Sequence, residues 1–143
     1  MKIKPINNPI SFGYTTILSK LWKEGKLPEV KKGFYGGDLS HDIKSLDFCT
    51  NEHIKPHSEG GKTILSNIAL STFKNNNSRG NKPLSEVFNK EAFEIYCEQF
   101  KDLLIPFKKG DKIKYFNGNT YIENIKKTVY NVLNEEKHLN IKG

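Results

Sequence analysis

The sequence predicts an α+β fold in one domain that spans residues 1–143. Apolar residues recur at helical spacing near both ends of the chain, and the middle contains short segments that read as strands. The length of 143 residues matches one domain and allows a modest core without disulfide bonds.

Three segments are predicted to be helices. The first is "YTTILSKLWKEGKLP", which Gly25 and Pro28 end, and the second is "NKEAFEIYCEQFKDLLIP", which Pro106 ends. The third runs from about Tyr121 to Lys137. Their apolar stripes are expected to face the core and contain Ile17, Leu18, Leu21 and Trp22 in the first helix, Ala92, Phe93, Tyr96, Cys97, Phe100, Leu103 and Leu104 in the second, and Ile122, Ile125, Val129, Val132 and Leu133 in the third.

Strands are predicted between these helices. The Gly-rich start of "GFYGGDLSHDIKSLDFCT" indicates a loop that leads into a strand, "DFCTNEHI". A short apolar strand, "IALS", follows after a glycine-containing loop. The segment "KIKYFNGNTYI" is predicted to form a hairpin whose turn is Asn117-Gly118.

Net charge, apolar runs and cysteine spacing indicate which partners and which cellular compartment to expect. The formal net charge of +7, from 23 basic and 16 acidic residues, favours a polyanionic partner. No apolar run approaches the ~20 residues of a spanning helix and the N-terminus has no signal-peptide pattern, so no membrane partner is expected. Cys49 and Cys97 form no CxxC pair, which predicts a cytoplasmic protein without structural zinc.

The candidate chemistry lies in residues 52–84, "EHIKPHSEGGKTILSNIALSTFKNNNSRGNKPL". His53 and His57 have the spacing of two zinc ligands on one helix, but Pro56 and the following Gly-Gly pair disfavour a continuous helix. A histidine can accept a proton near neutral pH, and carboxylate and amide oxygens suit a hard cation such as Mg²⁺. If Glu52 and His53 end a strand, they point to opposite faces and have different tasks.

These residues resemble the HNH endonuclease family. The pattern of that family is matched by Glu52-His53, by I-x-P-x-S-x-G-G at residues 54–61, and by Asn67, Asn76 and Arg79-Gly80. The resemblance covers about 33 residues of the chain. It implies a ββα-metal motif at about residues 45–88, braced by the N-terminal and C-terminal helices. Glu52 stands where aspartate is commoner, Asn76 replaces the third histidine, and the flanking zinc-binding CxxC pairs of many relatives are absent.

The resemblance also implies a role for each matched residue. His53 would activate water as a general base, Asn67 would orient His53, and Glu52 and Asn76 would hold one divalent metal ion, Mg²⁺ or alternatively Mn²⁺. Nucleic-acid contacts would come from Arg79, which would clamp a phosphate, and from Lys55, Lys62, Lys74 and Lys82.

The predicted function is metal-dependent hydrolysis of DNA phosphodiester bonds. One active centre would nick double-stranded DNA, and a homodimer or a protein partner remains open. The resemblance points to a phage or a mobile element, and hence to a bacterial or phage-infected host cell. Three alternatives stay open: an inactive relative that binds DNA or protein as an inhibitor, an RNA-directed enzyme, and a zinc hydrolase that uses His53 and His57.

Overall fold

The protein has an α+β fold with two small antiparallel sheets. The computed structural model describes residues 10–142, with side chains described for residues 17–139. In chain order, the elements are α1 (Ile10–Lys23), β1 (Cys49–His53), β2 (Ile68–Thr72), α2 (Phe73–Arg79), α3 (Leu84–Val87), α4 (Lys90–Glu98), β3 (Leu104–Lys109), β4 (Lys112–Asn117) and α5 (Gly118–Lys142). Short 3₁₀ helices at His57–Glu59 and Leu65–Asn67 lie in the loop between β1 and β2.

The first sheet is the hairpin of β1 and β2, and helices cover it. Its register pairs Glu52 with Ala69 and His53 with Ile68. Every residue of β2 is buried. One hydrophobic cluster joins residues of this hairpin to α1, α4 and α5. Burial on both faces therefore fixes the register that places the candidate catalytic residues.

The second predicted helix is shorter than expected. Four residues of its predicted apolar face, Phe93, Tyr96, Cys97 and Phe100, are buried, but α4 ends at Glu98. Asp102 has a φ of 62°, a left-handed conformation that interrupts a helix. Leu104 is 59% exposed and, with Pro106, belongs to β3 instead of the helix. The predicted extension to Pro106 was therefore wrong, because the apolar spacing continues past the turn that ends the helix.

The hairpin turn predicted at Asn117-Gly118 was also wrong. The turn that joins β3 to β4 is Gly110-Asp111, where Gly110 has a φ of 66°. The Asn117 side chain accepts a hydrogen bond from a backbone N–H in the first turn of α5 and so begins that helix. Gly118 is needed because a β-carbon there would collide with the carbonyl oxygen of Phe100.

The two terminal helices follow the prediction more closely. Of the predicted core residues of α1, Leu18, Leu21 and Trp22 are buried, and Ile17 is half-buried against the core. The last helix is longer than predicted, since α5 runs from Gly118 to Lys142. Within the described part of the chain, no helix has the length and the apolar character needed to cross a membrane.

Candidate active site

The candidate site forms where β1 ends beside α2. β2 runs directly into α2, and the side chain of Thr72 caps this helix by accepting a hydrogen bond from the Asn75 N–H at 3.1 Å. The backbone N–H of Phe73 donates to the Phe48 carbonyl at 2.7 Å and ties the helix start to the entry of β1. The predicted order of strand, loop, strand and helix is therefore present, and α2 contacts both strands.

Asn67 closes the loop between the two strands. Its Oδ1 accepts the Lys55 N–H at 2.8 Å, and its Nδ2 donates to the carbonyls of Lys55 at 3.1 Å and Lys62 at 2.9 Å. The Asn67 carbonyl also accepts the N–H of Ile54 at 2.9 Å. Asn67 is 5% exposed, and these side-chain hydrogen bonds all go to backbone, so it fixes the segment that follows His53. This holds the backbone after the strand end in place, while orientation of the His53 ring by Asn67 stays a prediction.

The paired glycines of this loop serve different purposes. Gly60 has a φ of 88° and ends the first 3₁₀ helix, a conformation that favours glycine. A β-carbon on Gly61 would collide with the carbonyl oxygen of Lys55, so Gly61 is required for close approach of two backbone segments. The glycine pair thus allows the chain to return tightly to β2.

A buried ionic contact holds Glu52. The Glu52 Oε2 atom accepts a hydrogen bond from the Tyr35 hydroxyl at 2.5 Å and one from Arg79 Nη1 at 3.2 Å. The same Nη1 donates to the Tyr35 hydroxyl oxygen at 2.9 Å. Glu52 is 6% exposed and Arg79 is 2% exposed. Burial, followed by the charge of Glu52, raises the pKa of Tyr35 well above its ordinary value, so Tyr35 is a stable donor to the carboxylate.

Arg79 lies in a different environment from the one that a phosphate contact implies. Its Nε donates to the Lys82 carbonyl at 3.0 Å, and its Nη1 also donates to the His53 carbonyl at 3.0 Å. Its Nη2 is buried and has no hydrogen-bond partner among the described residues. In the structure, Arg79 therefore neutralises Glu52 and holds the end of β1, while contact with a phosphate stays a prediction.

Asn76 lies on the α2 face of the hairpin. Its Nδ2 donates to the Thr50 hydroxyl at 3.1 Å and to the Asn51 carbonyl at 2.9 Å. Thr50 in turn donates to the Ser71 carbonyl at 3.0 Å. Because the amide nitrogen is held by two acceptors on β1, the amide oxygen of Asn76 is the atom that remains available for a ligand.

His53 reaches away from Glu52, as strand alternation predicts. Its Nε2 lies 2.9 Å from the Thr63 hydroxyl, and its ring lies 6.2 Å from that of His57 between centroids. Burial lowers the pKa of His53 most, the Glu52 charge opposes this change, and His57 lowers the pKa further. The result is a histidine that is largely neutral at neutral pH and can accept a proton.

The four predicted lysines divide into two groups. Lys62, Lys74 and Lys82 are exposed and form no ion pair within the described residues. Lys55 is half-buried, and its Nζ lies 3.5 Å from Glu135 on α5. Three of the four are therefore open to a polyanion, whereas Lys55 has an acidic partner already.

Sequence reasoning missed the residues that hold the predicted ones. Tyr35 is 17 residues before Glu52 and lies in a Gly-rich loop, so no local spacing indicates their contact. Thr50 and Thr63 contact Asn76 and His53, respectively. Thr50 lies two residues before Glu52 on the same face of β1, a signal that strand alternation could have supplied.

The donors at the site can be compared with those that zinc and a hard cation require. Within the described residues, no three His, Cys, Asp or Glu side chains are grouped closely enough to hold a metal ion. His53 and His57 therefore lack a third ligand of these types among those residues. Glu52 Oε1 and Asn76 Oδ1 accept no hydrogen bond from the described residues, and such oxygens fit an ion that keeps most of its water ligands.

Comparison with protein-family models, with curated proteins and with solved structures finds no match to this chain.

Proposed function

We propose that this protein is a metal-dependent endonuclease of the HNH type that hydrolyses DNA phosphodiester bonds. The observation that carries the proposal is the arrangement at the end of β1. His53, with its lowered pKa, faces one side of the strand, while Glu52 and Asn76 lie on the α2 side, each with one available oxygen. Hydrolysis of a phosphodiester requires a base that activates water on one side and a cation that stabilises negative charge on the other.

His53 removes a proton from the attacking water. The water oxygen then forms a bond to phosphorus, and the bond from phosphorus to the 3′ oxygen breaks. The 3′ oxygen takes a proton from solvent, and His53 returns to solvent the proton that it accepted. Glu52 and Asn76 would hold the divalent ion, which supplies stabilisation of the negative charge on the phosphate and on the leaving 3′ oxygen when it is bound. Thr63 holds the imidazole through Nε2, and Asn67 keeps the strand end in place.

Lysines around this strand end supply the affinity for DNA. Lys62 immediately precedes Thr63, Lys74 lies in the first turn of α2, and Lys82 follows that helix. Their contacts would be with phosphates, so binding should weaken as salt rises and should depend little on base sequence.

A plasmid assay tests this function. Purified protein is incubated with supercoiled DNA in Mg²⁺, in Mn²⁺ or in EDTA, and His53→Ala is compared with His138→Ala, a change at an exposed histidine of α5. We expect metal-dependent conversion to open circles that His53→Ala abolishes and His138→Ala leaves intact. Equal cutting by both variants would remove His53 from the mechanism, and no cutting with either cation would refute the nuclease.

One observation favours a second candidate, a DNA-binding or protein-binding relative without catalysis. Glu52 and Arg79 form a buried ion pair, in which each charge compensates the other. Such a pair can have a structural role without any part in catalysis. Tight, salt-sensitive DNA binding without cleavage in the same plasmid assay would support this candidate. Cleavage of an RNA of matching sequence, and not of the DNA, would instead indicate an RNA-directed enzyme.

A further inference from the structure

The two oxygens of the Glu52 carboxylate have unequal surroundings. Oε2 accepts two hydrogen bonds, from the Tyr35 hydroxyl at 2.5 Å and from Arg79 Nη1 at 3.2 Å. Oε1 accepts none from the described residues. Each carboxylate oxygen offers about two lone-pair directions, so the two donors use the acceptor capacity of Oε2. A cation that reaches this carboxylate therefore finds only Oε1 available.

Tyr35 is held in place by the hairpin. The N–H of Phe34 donates to the Leu70 carbonyl of β2 at 2.8 Å, and the Phe34 side chain is fully buried. The rings of Phe34 and Tyr35 meet edge to face, with centroids 4.9 Å apart. Phe34 and Tyr35 are the central residues of a tight turn, which the N–H of Gly36 closes by donating to the Gly33 carbonyl at 2.9 Å. The hydroxyl of Tyr35 thus comes from a segment fixed to the sheet.

We infer that Tyr35 is a positioning residue that, together with Arg79, restricts Glu52 to binding a cation through one oxygen, so that the site selects Mg²⁺ or Mn²⁺ over Ca²⁺. This inference rests on the proposed function, because it takes Glu52 as a ligand. Ca²⁺ accepts about six to eight oxygens and often takes both oxygens of a carboxylate, whereas Mg²⁺ takes few protein oxygens and keeps several waters. A carboxylate whose Oε2 is occupied can bind Mg²⁺ through one oxygen, but it cannot bind Ca²⁺ through both.

Removal of the Tyr35 hydroxyl should change both the strength and the selectivity of binding. In Tyr35→Phe, one acceptor direction of Oε2 opens, and the carboxylate loses the donor that fixes its rotation. Loss of a group that orients a metal ligand lowers metal affinity about 10–100-fold. We expect a loss of about 10-fold for Mn²⁺. The loss for Ca²⁺ should be smaller, since Ca²⁺ gains access to the second oxygen.

The test measures metal binding directly. All variants carry His53→Ala so that DNA is not cut, and a short DNA duplex is present to supply phosphate oxygens. Free Mn²⁺ is measured by electron paramagnetic resonance during titration, and Ca²⁺ is added as a competitor. Tyr35→Phe is compared with Tyr130→Phe, which removes a hydroxyl from an exposed tyrosine of α5. Glu52→Gln in the same background measures the Mn²⁺ binding that does not depend on the Glu52 carboxylate, including Mn²⁺ bound to the duplex alone.

Each outcome decides a different question. A weaker Mn²⁺ affinity and a smaller preference for Mn²⁺ over Ca²⁺ in Tyr35→Phe, with Tyr130→Phe unchanged, are the expected results. If Mn²⁺ binding depends on Glu52 but Tyr35→Phe keeps both affinity and preference, the role of Tyr35 is refuted and the metal site stands. If binding with Glu52→Gln equals that of the parent, the metal site itself is refuted, and the inference falls with it. Circular dichroism melting curves of both tyrosine variants and of Glu52→Gln show whether a loss of binding comes from unfolding.

Discussion

Replacement of Arg79 by methionine should strongly destabilise the protein. Arg79 and Glu52 are 2% and 6% exposed, so solvent screens their interaction little. Arg79→Met keeps much of the side-chain volume but leaves the Glu52 carboxylate buried without its cation. Loss of one partner from a buried ion pair costs about 3–5 kcal/mol of unfolding free energy. That is a large part of the roughly 5–15 kcal/mol that stabilises a typical domain.

Urea unfolding measures this loss through Trp22, the only tryptophan in the chain, which is buried in α1. With an m-value of about 2 kcal/mol/M, a loss of about 4 kcal/mol lowers the unfolding midpoint by about 2 M. Lys82→Met is the control, because its exposed side chain has no ion pair among the described residues.

A double variant separates the ion pair from simple loss of packing. Buried ion pairs replaced entirely by apolar residues often lose little stability. We therefore expect Glu52→Leu combined with Arg79→Met to regain most of what Arg79→Met loses. A loss below about 1 kcal/mol in Arg79→Met, or no recovery in the double variant, would refute the view that Arg79 is the main compensation for the buried Glu52 charge.

Three further predictions concern the site. Because burial lowers the pKa of His53, the cleavage rate should fall on the acid side only below pH ~6.5, the unperturbed value. His57→Ala should move this acid limb to higher pH, because His57 lowers the pKa of His53. Proton NMR titration measures the pKa of His53, and pH–rate profiles measure the acid limb. Asn67→Ala removes three side-chain hydrogen bonds and should cost about 2–4 kcal/mol in urea unfolding, with faster amide exchange in residues 54–67. Thr50→Val removes the hydroxyl acceptor of Asn76 and should weaken Mn²⁺ binding about 10-fold.

A specific result would contradict each of these three predictions. An acid limb that lies above pH ~6.5 in the parent protein would contradict the role of burial at His53. Asn77→Ala, at an exposed position of α2, should cost far less stability than the Asn67 change; equal losses would argue against loop closure by Asn67. Thr50→Ser keeps the hydroxyl, and weak metal binding in that variant too would show that the methyl group, not the hydrogen bond, matters.

Much of the fold follows from local pattern. The first and last helices and the hairpin strands β1 and β2 follow from apolar spacing and from the glycine loop, whereas the helix that carries Asn76 was implied by the family resemblance. The errors fell where one residue changes the chain direction. The chain turns at Asp102 before β3 although the apolar spacing continues, and Gly118 serves close packing instead of a turn. Where these elements end depends on contacts with distant backbone, and the spacing of apolar residues does not predict such contacts.

The candidate site shows the same division. Strand alternation was sufficient to place Glu52 and His53 on opposite faces, and the position of Asn67 at the loop end indicated its contacts with backbone. Burial of Arg79 was not predictable, because an arginine in a polar segment usually lies at the surface. It is buried here since the Glu52 carboxylate and the His53 carbonyl reach it from β1, and the nearby Lys82 carbonyl accepts its Nε.

The sequence by itself determined the types of side chain at the site, their order, and the face of the strand to which each belongs, since these depend on neighbours within a few residues. Only the tertiary structure decided which oxygens of those side chains remain available. Tyr35 reaches Glu52 from a segment 17 residues away, and Arg79 reaches it from 27 residues away. Packing of the whole chain brings them together, because their hydrogen bonds form only when the loop, the hairpin and α2 share one core.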